Sequence, residues 1–139
     1  MKIKRVEHIA IAVTPLKQSI DLLRDTFGLP LEYEEQIGQT RLAMLPVGQS
    51  YIELLEGQGP ESGVTKWISE KGTGLFHICF EVEDIEAFAA RLRDAGMSVD
   101  GGIRSSTEAA GTRFLFLTDP WGTGIEVTEG LAVTTVDGR

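Results

Sequence analysis

The sequence predicts an α+β fold built from two tandem β-α-β-β-β modules. A strand of alternating side chains is followed directly by an amphipathic helix, and this order occurs twice along the chain. Strand-like segments separated by turn residues then follow each helix. Because a half of about 65 residues buries little core alone, we expect both modules to pack as a single domain over residues 1–139.

The first module is expected over about residues 6–56. Its opening segment, residues 6–13, reads VEHIAIAV, and this period of two indicates a strand. Thr14 is the expected N-cap of a helix over residues 15–26, and Gly28 follows the end of that helix. The remaining strands of this module are expected at residues 31–35, 40–46 and 50–55.

The second module is expected over about residues 75–129. Residues 75–82 read LFHICFEV and repeat the alternating strand. Asp84 is the expected N-cap of the second helix, and Gly96 ends that helix. The remaining strands are expected at residues 97–100, 113–118 and 124–128.

Two further segments are expected to lie outside the modules. Residues 57–72 are rich in Gly, Pro and Ser, which is typical of a linker, with a short helix around residues 64–70. The tail after Glu129 is expected to fray.

Composition narrows the class of protein. The net charge is −8, from 21 acidic and 13 basic residues, and so acidic a surface disfavours binding to nucleic acid and to anionic membranes. Cys79 is the single cysteine, which favours a reducing compartment. Residues 9–13 form the longest apolar run and are too few to span a bilayer. We therefore expect a soluble, cytoplasmic protein.

The repeat places four polar side chains at matching positions. His8 and His77 lie in the first strands of the two modules, and Glu53 and Glu126 lie in the last strands. Each module thus supplies one imidazole and one carboxylate. Two neutral nitrogens and two carboxylate oxygens suit one divalent ion such as Co, Mn, Zn, Ni or Fe. The alternative, a hydrogen-bonded structural histidine in each strand, is less natural because both histidines of the chain fall in register.

Several segments together resemble a known family. They are residues 6–13, the run YIELLEG, the run KGTGLFHICFEVEDI and the run FLTDPWGTGIEV. They look like the vicinal-oxygen-chelate superfamily, which includes glyoxalases, bleomycin resistance proteins and dioxygenases. Within it, the sequence is most similar to methylmalonyl-CoA epimerases.

The resemblance implies a fold, a metal site and a reaction. The fold would be a curved mixed sheet around a metal-containing cavity, and the family's ligand positions fall on His8, Glu53, His77 and Glu126. The reaction would be epimerisation of an acyl-CoA thioester by proton abstraction next to the carbonyl, with Glu126 and Glu53 as the bases. A homodimer is also implied.

Arg41 is the expected substrate-binding residue. It falls where our alignment places a second catalytic glutamate of some bacterial epimerases, and it could bind a substrate carboxylate. The alternative for Arg41 is an outward-facing surface arginine. Two smaller expectations concern Cys79, which shares the face of His77 and is either near the metal or an inert buried thiol, and Trp121, which could cap the pocket.

Other functions remain open on the same scaffold. A glyoxalase-type lyase or a ring-cleaving dioxygenase is one alternative, although the dioxygenase usually needs only two histidines and one carboxylate. A non-catalytic small-molecule-binding resistance protein is the other. Glu53 as a fourth ligand disfavours the dioxygenase, and four intact ligand positions disfavour the binding protein. Fold alone does not separate these options.

Overall fold

The computed structural model describes residues 2–106, 111–118 and 122–130. The chain divides into two compact units. The first unit comprises residues 8–76, and the second comprises residues up to Glu7 together with residues from His77 onward. Strand β1, Ile3–Ala12, contributes its first residues to the second unit and the rest to the first.

The first unit follows the predicted β-α-β-β-β order. After β1 come helix α1 (Leu16–Asp21), which continues as a π-helical turn over Leu22–Thr26, and then strands β2 (Tyr33–Ile37), β3 (Thr40–Val47) and β4 (Ser50–Gly57). Strand β3 pairs antiparallel with both β2 and β4, whereas β4 pairs parallel with β1. The parallel pair requires a long connection, and α1 begins that connection.

One face of this first sheet packs against α1. The buried core there consists of Leu16, Ile20, Ala43, Leu45 and Leu54. Ile11 and Val13 also pack on this core. The period of two then directs residues 8, 10 and 12 to the other face.

The second unit repeats the arrangement. Its elements are β5 (Gly74–Val82), which enters this unit at His77, and then α3 (Ile85–Asp94), β6 (Asp100–Ser105), β7 (Arg113–Thr118) and β8 (Gly124–Glu129). Strand β7 pairs antiparallel with β6 and β8, and β8 pairs parallel with β5. Its buried core consists of Val82, Ile85, Ala89, Leu115, Leu117 and Val127. The predicted α+β fold class is confirmed.

Three local predictions differ from the structure. The sequence predicts a strand over residues 97–100, but strand β6 begins only at Asp100. Met97 and Val99 instead pack against the core beneath α3. Strand β2 lies two residues later than expected. Thr14 is not the N-cap of α1; Pro15 holds that position without a side-chain hydrogen bond.

The expected linker contains the helix α2, Gly63–Lys71. Ser62 caps it, since its hydroxyl accepts hydrogen bonds from the N–H groups of Val64 and Thr65. Among the residues that the structure describes, no helix is long and apolar enough to cross a membrane.

Candidate metal centre

In the first unit, the buried His8 pairs with the largely buried Glu53. Strand β1 runs parallel to β4 with Ala10 directly opposite Glu53, so His8 lies two residues before the partner of Glu53 and on the same face. The Nε2 atom of His8 is 3.4 Å from Oε1 of Glu53, and the side chains are 8% and 13% exposed. The next residues on this face, Ala10 and Ala12, are small and fully buried.

In the second unit, His77 and Glu126 form the equivalent pair. Here Cys79 lies opposite Glu126 on parallel strands, so His77 again lies two residues before the partner of the glutamate. The Nε2 atom of His77 is 3.1 Å from Oε1 of Glu126, and the side chains are 10% and 16% exposed. The ring of Phe116, which pairs with Glu126 across β7 and β8, lies edge-on to the imidazole at 5.7 Å.

The geometry of each pair suits two neighbouring ligands of one ion. At metal–ligand bonds of about 2.1 Å, adjacent ligand atoms lie about 3.0 to 3.4 Å apart in octahedral or tetrahedral coordination. The two nitrogen–oxygen separations, 3.4 Å and 3.1 Å, fall in this range. Imidazole nitrogens and carboxylate oxygens are also the donors that divalent first-row ions prefer. Each pair, taken by itself, therefore offers one nitrogen and one oxygen donor at a spacing that a divalent ion accepts.

We call the face of each sheet that carries its histidine and glutamate the His/Glu face. In the first unit, Tyr33 also belongs to it, because Tyr33 lies opposite Met44, and Met44 lies opposite Glu53. Burial is the largest cause that raises the pKa of Tyr33 to about 12; the charges of Glu35, Glu53 and Glu32 act in the same direction, and His8 opposes them. Its phenol is therefore a neutral hydrogen-bond donor at pH 7. Sequence reasoning missed Tyr33, although the alternation along β2 could have indicated it.

Arg41 does not share the His/Glu face. It lies opposite Glu56 on β4, an odd number of residues from Glu53, so it shares the face of Ala43 and Leu45. Its guanidinium is 37% exposed and pairs with Glu34 at 3.3 Å. This placement favours the alternative of a surface arginine, and the role of Arg41 in substrate binding stays a prediction. On the His/Glu face of β3 stand Leu42 and Met44, which offer no carboxylate.

Two smaller expectations concern Cys79 and Trp121. Cys79 is fully buried on the His/Glu face of the second unit, where it occupies the place that Ala10 has in the first. Trp121 lies outside the described residues, as do Asp119 and Pro120 of the same turn and residues 131–139 of the expected frayed tail.

Comparison with known proteins shows the family to which the chain belongs. Residues 5–127 match the Glyoxalase/Bleomycin resistance protein/Dioxygenase superfamily. The chain belongs to this superfamily. An ethylmalonyl-CoA/methylmalonyl-CoA epimerase of Cereibacter sphaeroides is 34% identical over 119 residues, which cover 83% of this chain and 88% of the relative.

Solved structures of methylmalonyl-CoA epimerases are also similar to this chain. A variant of the Streptomyces coelicolor methylmalonyl-CoA epimerase in complex with 2-nitronate-propionyl-CoA has a TM-score of 0.81 and 32% identity, covering 94% of this chain and 100% of that one. A methylmalonyl-CoA epimerase in complex with methylmalonyl-CoA and NH4+ has a TM-score of 0.79 and 32% identity, covering 95% and 98%. These similarities support an enzyme with an epimerase-like function.

Proposed function

We propose that this chain is a metal-dependent epimerase that acts on a malonyl-type acyl-CoA thioester, as methylmalonyl-CoA epimerases do. The observation that carries the proposal is the matching register of two buried His/Glu pairs, one in each unit. The similarity to epimerases over most of the chain supports the reaction type. A small-molecule substrate is also compatible with the net negative charge of the chain, because it does not require the basic surface that nucleic acid requires.

The proposed ligands of one divalent ion are His8, Glu53, His77 and Glu126. When bound, the ion would polarise the thioester oxygen and stabilise negative charge on it. Both imidazoles present Nε2 to the paired carboxylate, so Nε2 is the proposed ligand atom in each unit. Co, Mn, Zn, Ni and Fe all accept this donor set.

The proton transfers are assigned to the two glutamates. The carbon between thioester and carboxylate loses its proton to a carboxylate oxygen of Glu126, and the electron pair of the C–H bond moves into the enolate. Return of a proton to the opposite face inverts the centre, and Glu53, from the other unit, is the proposed second acid. Strand β3 offers no carboxylate on the His/Glu face, which makes Glu53 the better candidate.

Three accompanying proposals follow the family. The partner is an acyl-CoA thioester, the protein is cytoplasmic, and the enzyme is a homodimer. Size-exclusion chromatography with light scattering checks the last of these: a mass near 30 kDa, about twice the 15.2 kDa chain, is expected.

The experiment that tests the function measures turnover directly. Purified protein is loaded with Co²⁺ and its metal content is determined, and one C2 epimer of methylmalonyl-CoA is then added. The expected result is conversion to a mixture of the two C2 epimers, which is monitored by the change in circular dichroism. In parallel, the hemithioacetal of methylglyoxal and glutathione tests the glyoxalase-type alternative. If protein with full metal occupancy turned over only the hemithioacetal, the result would contradict the epimerase proposal and favour a glyoxalase-type lyase.

A further inference from the structure

A second arginine, Arg104, lies on a His/Glu face, whereas Arg41 does not. The pairing of β6 with β7 shifts register between Asp100 and Arg104, because an irregular segment containing Gly101 and Gly102 interrupts it. Both glycines adopt positive φ, 74° and 70°, which side chains rarely tolerate. After this bulge Arg104 lies opposite Phe114, which itself lies opposite Thr128. Arg104 therefore shares the His/Glu face of the second unit.

The guanidinium of Arg104 is held over aromatic rings. Its Cζ atom is 5.3 Å from the ring centre of Phe114 and 5.6 Å from that of Phe116. A Cβ atom added to Gly101 would approach Cζ of Arg104 to 3.3 Å, so this glycine leaves the space in which the guanidinium lies. The Nη2 atom donates a hydrogen bond of 3.0 Å to the backbone oxygen of Asp100. Stacking on the two phenyl rings and this hydrogen bond together fix the orientation of the guanidinium.

The same phenyl ring connects the guanidinium to the metal pair. Phe116 contacts Arg104 on one side and the imidazole of His77 at 5.7 Å on the other. Within the part of the chain that the structure describes, Arg104 forms no ion pair, and its side chain is exposed. A solvent-facing cation thus lies one aromatic ring from His77.

We propose that Arg104 binds the free carboxylate of the substrate. This inference rests on the proposed function, because only a dicarboxylic thioester brings such a group close to His77 and Glu126. A guanidinium fork fits a carboxylate with two parallel hydrogen bonds, and in a chain of net charge −8 an anionic substrate needs a local cation. The phosphates of CoA share this chemistry, but they lie at the far end of the pantetheine arm, much further from the thioester than one ring.

Equilibrium dialysis with malonate tests the proposal without turnover. The Co²⁺-loaded wild type is compared with Arg104→Gln, Arg104→Lys and the matched control Arg41→Gln, an arginine on the opposite face of its own sheet. Arg104→Gln is expected to weaken malonate binding by about tenfold or more, since one charge-assisted contact is lost. Arg104→Lys keeps the positive charge and should lose less affinity for malonate than Arg104→Gln does. Arg41→Gln should bind malonate as tightly as the wild type does. Metal content and circular dichroism check that every variant is loaded and folded.

Propionyl-CoA, which carries the phosphates but no free carboxylate, separates the two sources of negative charge. Its affinity is expected to be the same in all four proteins, while the KM for methylmalonyl-CoA rises only in the Arg104 variants. Three results overturn the proposal: unchanged malonate affinity in Arg104→Gln, equal losses for malonate and propionyl-CoA, or no malonate binding by the loaded wild type. Arg104-dependent malonate binding without epimerisation would instead reject the proposed function and keep the carboxylate site.

Discussion

The carboxylate of Glu129 accepts a hydrogen bond of 2.8 Å from the backbone N–H of Ile85, the first residue of α3. Glu56 does the same in the first unit, where it accepts a 2.9 Å bond from the N–H of Leu16, the first residue of α1. Each of these glutamates stands three residues after a proposed metal ligand, so it points to the opposite face of its strand. One strand in each unit therefore carries a proposed metal ligand on one face and a glutamate that caps the helix on the other.

Glu129 is expected to stabilise the protein in a pH-dependent way. Its pKa is lowered chiefly by the hydrogen bond from Ile85 and then by Arg113, which outweigh the opposing effect of burial. A carboxyl whose folded-state pKa is depressed contributes stability above its ordinary pKa of 4.5, and this contribution is lost as the pH falls through the lower folded-state value.

Urea denaturation of Glu129→Ala at pH 7 measures this contribution. The loss of the helix cap and of the ion pair with Arg113 is expected to cost about 1 to 2 kcal/mol. The difference from the wild type should shrink towards pH 3. Glu129→Gln is the control, because it keeps an acceptor oxygen but removes the titration. A difference that is constant from pH 7 to pH 3 would show that the carboxylate charge is not involved.

Arg41→Ala is expected to change neither stability nor catalysis appreciably. The pair of Arg41 with Glu34 is exposed, and such surface pairs contribute at most about 0.5 to 1 kcal/mol. The KM values for a dicarboxylic and for a neutral thioester should both stay at the wild-type level. A selective rise for the dicarboxylic substrate would return Arg41 to the binding site.

Cys79→Ala is expected to retain the metal and the activity. The variant reproduces in the second unit the arrangement of the first, where Ala10 holds the place opposite the glutamate. A buried Cys→Ala change removes little volume, so a modest loss of about 1 kcal/mol in stability is expected. Elemental analysis gives the readout, and His77→Ala, which should lose the ion, is the positive control. Loss of metal in Cys79→Ala would make the thiol a ligand.

The repeat in the sequence was enough to predict the fold class and the two His/Glu pairs. Alternation within a single strand fixes which residues share a face, so His8 and Glu53 could be identified as soon as their strands were recognised. The caps formed by Glu56 and Glu129 were missed, although the repeated spacing of two glutamates in β4 and β8 is visible in the sequence.

The arginine that serves the site was harder to predict, for two physical reasons. A shift of one residue moves a side chain to the other face of a strand, and this separates Arg41 from Leu42. The irregular segment between Asp100 and Arg104 adds two residues to β6 and thereby places Arg104 opposite Phe114, and sequence periodicity does not register such a bulge. The predicted end of the strand at residue 100 concealed it further.

Solvent exchange at the reacting carbon tests the central claim most directly. One C2 epimer of methylmalonyl-CoA is incubated in D₂O with the metal-loaded wild type and with Glu126→Gln, and deuterium at C2 is measured by mass spectrometry. The wild type should epimerise the substrate at C2 and introduce deuterium, because the proton removed to a carboxylate equilibrates with water. Glu126→Gln keeps an oxygen ligand but accepts no proton, so exchange should fall by about 100-fold or more. Absence of deuterium at C2 in a fully metal-loaded wild type, on this and other malonyl-type thioesters, would contradict the account.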